Sequence, residues 1–209
     1  MTGPAVIAGL LLAGGRSRRM GSLAGGDKCL MTLGTQTVLE HVIQRAGPQV
    51  ERLVLNANGD AGRFASFGLP VIGDTAGEGL GPLAGVLAGL DWVAGQIPDA
   101  GLVASFATDT PFFPKDLVHS LSLEIERGAE LACARSGGRL QPVFALWPVA
   151  LRHELRRALV EEGIRKVDRW MARYRLSAVD YAVEPFDPFF NLNQPADLAA
   201  AEALLQQGG

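Results

Sequence analysis

The sequence predicts an α/β protein: one doubly wound, mostly parallel sheet with helices on both faces. Two observations carry this expectation. Short runs of Val, Ile, Leu and Ala, too uniformly apolar to have a solvated face, recur along the chain and end at Gly, Asn, Asp or Thr. Such runs suit parallel strands covered on both sides. Segments with helical spacing of apolar residues lie between them, and that alternation points to βαβ units with short connections.

The first strand is Ala5–Leu12. In the helix that follows, Val38–Ala46, apolar Val38, Val42 and Ala46 recur at four-residue spacing, and Leu39 and Ile43 widen the same face. Strands are expected at Arg52–Asn56, Pro70–Ile72 and Gly101–Ala107, with helices at Leu83–Gln96 and Lys115–Arg127. Pro82 and Pro114 fit the first turns of these two helices, where a missing N–H costs little. The segment "LACARSGGRLQPVFALW" reads as two strands joined by a glycine turn. Leu151–Glu161 and Lys166–Arg173 read as helices, "SAVDYAV" as another strand, and about Pro195–Leu205 as a final amphipathic helix. With no repeat, linker or low-complexity segment, one compact Rossmann-like domain over residues 1–209 is expected.

Composition narrows the function. The chain has 48% hydrophobic and 20% charged residues, ordinary for a globular protein. A net charge of −3 argues against a general nucleic-acid binder, so any cationic site is local. The apolar start "MTGPAVIAGLLLAGG" is too short for a membrane span and lacks the basic flank of a signal peptide. Cys29 and Cys133 match no metal-ligand spacing and read as buried reduced thiols of a cytoplasmic protein. His41, His119 and His153 each fall in or beside a helix with charged neighbours, and Trp147 and Trp170 read as core. The basic helical stretch 151–175 reads as a solvated face, with contact to an acidic partner or an anionic ligand as the alternative.

In an open α/β sheet, ligands bind beyond the carboxyl ends of the strands, where strand order reverses. The first strand is followed by "AGGRSRRMG" and then Asp27-Lys28. This is neither a P-loop nor G-x-G-x-x-G, because Gly14 and Gly15 are adjacent and no third glycine is in register. Its small residues still let a backbone approach a ligand and donate N–H groups. Arg19 and Lys28 would add charge-assisted bonds to a polyphosphate; a glycine turn with solvated arginines, Arg16 and Arg18 among them, fits the loop equally well. Asn56 and Asn58 follow the second strand, Asp74 the third, and Thr108-Asp109-Thr110-Pro111 the fourth. A carboxylate at the Asp109 position suits a divalent cation completed by water and phosphate, or simply a helix cap.

The order of these motifs resembles the molybdenum cofactor guanylyltransferases. "LLAGGRSRRMG…DK", "LNAN", "D…GLGPLAGVLAGL", "ATDTPFFP", "QPVFALW" and "NLNQPADL" carry the likeness from Leu11 to about Leu204. The resemblance implies a nucleotidyltransferase fold, with a nucleotide-binding part over about 1–110 and a pterin-side part over about 111–209. It implies transfer of GMP from GTP to the terminal phosphate of Mo-molybdopterin, with release of pyrophosphate and a need for Mg²⁺, or Mn²⁺ in its place. By position, Leu12, Ala13, Gly14 and Gly15 resemble the guanine-contacting loop and Lys28 the lysine that meets the phosphates. Asn56 and Asp74 resemble nucleotide-site residues, Asp109 the metal ligand, and Asn191 and Asn193 a pair on the pterin side. Arg19, Lys28 and Asp109 are the expected catalytic set. Docking to molybdopterin-synthesis enzymes and to recipient molybdoenzymes or their chaperones is a further expectation.

Two departures stand out. The spacer "SLAGG" between Met20-Gly21 and Asp27 is longer than the family's, and Gln141 stands where a histidine is common. The second leaves no histidine near the expected site and argues against a histidine base. None is needed, because the attacking phosphate monoester is largely ionised near neutral pH (second pKa about 6). Three alternatives stay open from sequence: a CTP-dependent cytidylyltransferase acting on the same pterin, a sugar-1-phosphate nucleotidyltransferase, and a non-catalytic nucleotide-binding partner in cofactor delivery.

Overall fold

The computed structural model describes residues 6–13, 27–77 and 80–206. Strand β1, Val6–Leu12, lies in the interior of a seven-stranded sheet. Its residues are buried alternately against two separate apolar layers: Ala8, Leu10 and Leu12 in one, Leu11 in the other. That is why its sequence is an unbroken apolar run. Strand β2 (Thr32–Leu33) and strand β3 (Gln36–Thr37) form a small separate hairpin that leads into helix α1, Val38–Ala46. Thr37 caps α1: its hydroxyl accepts from the Glu40 N–H at 3.2 Å while the Glu40 carboxylate accepts from the Thr37 N–H.

Strand β4 (Leu53–Asn56) pairs parallel with β1, and β5 (Val71–Ile72) pairs parallel with β4 at one sheet edge. Helix α2, Pro82–Gln96, then crosses back to β6, Ala100–Ala107, on the other side of β1. Strand order therefore reverses between β1 and β6. Beyond helix α3 (Leu117–Glu126), β7 (Leu131–Ser136) and β8 (Arg139–Pro148) form a hairpin through Gly137 and Gly138, both at positive φ. Helix α4 (Arg152–Val160) and helix α5 (Val167–Met171) precede β9, Leu176–Tyr181. The sheet order is β5-β4-β1-β6-β8-β7-β9, in which β8 alone runs antiparallel to its neighbours β6 and β7.

Helices cover both faces. Residues of α2, α4 and α5 share the layer of Leu10, with the Trp147 and Trp170 rings 5.8 Å apart inside it. Residues of α1 and α3 share the layer of Leu11. Helix α6, Pro195–Gln206, returns the C-terminal segment to the β2–β3 hairpin, where Leu33, Val38, Phe112, Leu192 and Ala201 make a third apolar cluster. Both cysteines are buried and free. No described helix is long and apolar enough to cross a membrane.

Two details differ from expectation. Pro114 is not in the first turn of α3: Asp116 takes the N-cap position and α3 starts at Leu117, whose N–H bonds the Pro114 carbonyl at 3.3 Å. Residues Ala61–Phe67 form a 3-10 segment that no periodicity announces. The basic stretch across α4 and α5 is the mostly exposed face expected, with Arg156 paired to Asp91 and both Arg157 and Arg173 to Glu162.

Candidate active site

The reversal between β1 and β6 brings two strand ends side by side, with Leu12 in register with Ala107 on one flank and Asn56 on the other. Hydrogen bonds extend past the strands. The Ala13 N–H donates to the Asn56 carbonyl at 2.9 Å, and the Thr108 hydroxyl donates to the Leu12 carbonyl at 3.2 Å. Gly14, Gly15, Arg16, Arg18 and Arg19 lie outside the described residues.

On the β4–β5 side, Asn56 is only 2% exposed. Its amide donates to Asp74 Oδ1 at 3.1 Å and to the Ile72 carbonyl at 3.3 Å. Asn58 makes a second bridge: its amide donates to Asp74 Oδ2 at 2.8 Å, and its Oδ1 accepts from the Asp74 N–H at 2.8 Å. The Asp74 carboxylate is thus held from both sides by amides, and each oxygen keeps a lone pair for a ligand. Gly85 of α2 makes room for this arrangement. A Cβ there would lie 2.3 Å from Asn56 Oδ1 and 2.7 Å from Leu12 Cδ2.

On the β6 side, Asp109 sits one residue beyond Thr108, partly buried. Burial pushes its carboxyl above the ordinary carboxylate value; its backbone N–H, the Lys28 ammonium and the Thr110 hydroxyl pull it down without cancelling the rise. Lys28 opens a 3-10 turn and donates from Nζ to Asn193 Oδ1 at 3.1 Å. The segment before α6 is sewn onto the same place. The Leu192 N–H donates to the Asp109 carbonyl at 2.8 Å, and the Thr110 hydroxyl bonds the Asn191 amide oxygen. Asp197 accepts from the N–H groups of Asn193 and Gln194 at 2.7 and 2.8 Å. Further back, the Ser136 hydroxyl holds Asp187 Oδ2 at 3.2 Å and Gln141 donates to Ser136 at 3.0 Å, anchoring the start of that segment.

The structure therefore brings together Lys28, Asp109, Asn191 and Asn193 as one polar cluster, and Asn56 with Asp74 as another, with Leu12 and Ala13 between their supporting strands. Asn193 touches Lys28 directly. Sequence reasoning overlooked Thr108 and Thr110 as tethers, and Arg63, whose guanidinium pairs with Asp27 and also donates to the Asp60 carbonyl and, at 2.7 Å, to the Asn58 carbonyl. The only local signal for Arg63 was a cation in a polar turn.

Other nucleophiles and bases are poorly placed. Burial, with the neighbouring Asp27 charge, pushes the Cys29 thiol up to about 12, which leaves no thiolate near neutral pH. His41 is bonded to the Leu33 carbonyl at 2.9 Å, and His119 and His153 are exposed on α3 and α4. Among the described residues no three His, Cys, Asp or Glu side chains converge as a metal cluster. A cation here would be held by Asp109 and by oxygens of its ligands, the usual arrangement for Mg²⁺ on a nucleotide.

Comparison with known proteins shows the family and the fold. The MobA-like NTP transferase domain matches residues 9–177. A molybdenum cofactor guanylyltransferase from Nitrobacter hamburgensis is 54% identical over 202 residues, covering 96% of this chain and 95% of that one. The crystal structure of molybdopterin-guanine dinucleotide biosynthesis protein A from Archaeoglobus fulgidus superimposes with a TM-score of 0.73 at 25% identity, covering 96% of this chain and 99% of that one. A Mycobacterium tuberculosis protein solved in complex with manganese shares the fold, with a TM-score of 0.65 at 18% identity over 95% of this chain and 98% of that one. The chain belongs to the MobA-like NTP transferase family, among the molybdenum cofactor guanylyltransferases.

Proposed function

We propose that the protein transfers GMP from GTP to the terminal phosphate of Mo-molybdopterin, forming the guanine dinucleotide cofactor and pyrophosphate. The observation that carries this reading is the pairing of two sites at one reversal of strand order. An amide-held carboxylate, Asp74, stands on one side, and Lys28 and Asp109 stand on the other. Guanine presents N1–H and N2–H₂ donors on one edge, and Asp74 supplies acceptors for them while the Leu12–Gly15 backbone lines the base. Lys28 neutralises the triphosphate, with Arg19 as a second cation.

An oxygen of the pterin phosphate attacks the α-phosphorus in line, forming a P–O bond while the bond to the β-phosphate oxygen breaks and pyrophosphate leaves. The attacking group needs no proton removed above its second pKa of about 6. The protein's task is then to hold two anions together and to stabilise charge on the leaving group. Asn191 and Asn193 orient the pterin phosphate, and Asn193 shares Lys28 with the nucleotide, so the two substrates meet over one ammonium. Asp109 would hold Mg²⁺, or Mn²⁺ in its place, which would supply Lewis-acid stabilisation of the phosphoryl charge. The same proposal includes a cytoplasmic location, consistent with two reduced thiols, and hand-over of the product by docking to recipient molybdoenzymes or their chaperones.

Pyrophosphate release with Mo-molybdopterin and each nucleoside triphosphate in turn tests the reading. Preference for GTP supports it. Preference for CTP, or tight GTP binding with no pyrophosphate formed, refutes it.

A further inference from the structure

Arg63 lies outside both polar clusters, yet it touches the supports of each. Its Nε faces the Asp27 carboxylate, the residue before Lys28. One terminal nitrogen donates to the Asp60 carbonyl and the other to the Asn58 carbonyl at 2.7 Å. Asn58 is the residue that grips Asp74 by both its side-chain amide and its side-chain oxygen. A continuous chain of hydrogen bonds thus runs from Asp74 through Asn58 and Arg63 to Asp27, and so to Lys28. The guanidinium is partly shielded, with its side chain 28% exposed, and its Cζ lies 4.6 Å from the centroid of the buried Phe64 ring. A planar fork with donors in fixed directions can satisfy three acceptors on two loops at once, whereas an ammonium cannot hold that geometry.

We propose that Arg63 is a positioning residue that sets two loops in common register, the one that carries Lys28 and the one that orients Asp74. The inference rests on the GTP reading of the site and adds a division of labour to it. The Asp27 arm controls grip on the triphosphate. The Asn58 arm controls discrimination for guanine. Neither arm touches substrate.

The test measures GTP and ATP dissociation constants on the purified full chain, with wild type as reference. Asp27→Asn reduces the first arm to a neutral hydrogen bond and leaves the guanidinium in place; GTP binding weakens about fivefold, the difference between a charge-assisted and a neutral hydrogen bond, and the GTP-to-ATP preference is unchanged. Asn58→Ala keeps the Arg63 bond to the residue-58 backbone carbonyl but removes the side-chain grip on Asp74 at the end of that arm, and the preference itself falls about tenfold. Arg63→Ala shows both losses, and Arg63→Lys recovers the first but not the second. Asp27→Asn and Arg63→Lys carry the result even where Arg63→Ala is too unstable to assay. The inference is overturned if Asp27→Asn lowers the GTP-to-ATP preference, or if both single-arm variants bind within twofold of wild type. A wild-type protein with no preference for GTP instead refutes the guanylyl reading, which separates the two failures.

Discussion

Gly85 offers the sharpest test of how the fold makes room for the base side of the site. A methyl group at this position would stand 2.3 Å from Asn56 Oδ1 and 2.7 Å from Leu12 Cδ2. Leu12 is a buried residue of β1, whose backbone is held on both flanks. The Asn56 amide, freer to turn, gives way. It then loses its bonds to Asp74 and Ile72 while still buried. Leaving a buried polar group unpaired costs about 1–3 kcal/mol, and overpacking adds a similar amount. The better helix propensity of alanine returns about 1 kcal/mol. The expected net loss for Gly85→Ala is about 3 kcal/mol, or roughly 6–12 °C in melting temperature for a chain of this length. GTP affinity falls with it, because Asp74 loses one of its two amide supports.

Gly95 supplies the internal control. It lies in the same helix, is exposed, and an added Cβ meets nothing within 4 Å. Gly95→Ala gains roughly 0.5–1 kcal/mol with unchanged GTP binding. Thermal denaturation and GTP titration of the two variants, side by side, decide the matter. A Gly85→Ala protein as stable as Gly95→Ala, with wild-type GTP affinity, refutes the packing account of Asn56.

Three further outcomes follow from the same geometry. The raised Asp109 carboxyl binds a proton more readily in the folded state than in the unfolded one, so its ionisation costs stability as pH rises from the ordinary carboxylate value through the raised one; Asp109→Asn therefore melts no lower than wild type at pH 7 while losing nearly all turnover, and wild-type turnover falls as pH drops through that raised value. Thr37→Ala removes the hydroxyl half of the α1 capping box and leaves the residue-37 N–H on the Glu40 carboxylate; it costs about 1 kcal/mol, read as a lower melting temperature with unchanged kcat. Cys29 and Cys133, raised by burial to about 12 and about 11, resist a thiol reagent at pH 8 in the native protein and react promptly in denaturant.

What the sequence made legible, and what it did not, follows from the range of the forces involved. Strands β1, β4 and β6 were readable because burial on both faces forces continuous apolar runs, and α1 because one buried stripe imposes helical spacing. The strand ends then placed Asn56, Asp74 and Asp109 at one edge by topology alone. Side-chain bonds between distant segments leave no such trace. Lys28 with Asn193, Thr110 with Asn191, and Arg63 with Asp27 each join residues far apart in sequence, and nothing local to either partner records the match. Pro114 misled because a proline before a helical pattern suits N1 as well as the turn ahead of the cap, and here Asp116 takes the cap. The 3-10 segment at Ala61–Phe67 buries Phe64 alone, too little for any periodicity to show.

The most direct test of the central claim follows the α-phosphate. GTP labelled at that position is incubated with the protein, Mo-molybdopterin and Mg²⁺, and the pterin product is isolated. The account predicts that the label and the guanine both appear in a pterin dinucleotide, with one pyrophosphate released for each. Label that stays in GTP or appears as free GMP, or a product built only from CTP, contradicts it.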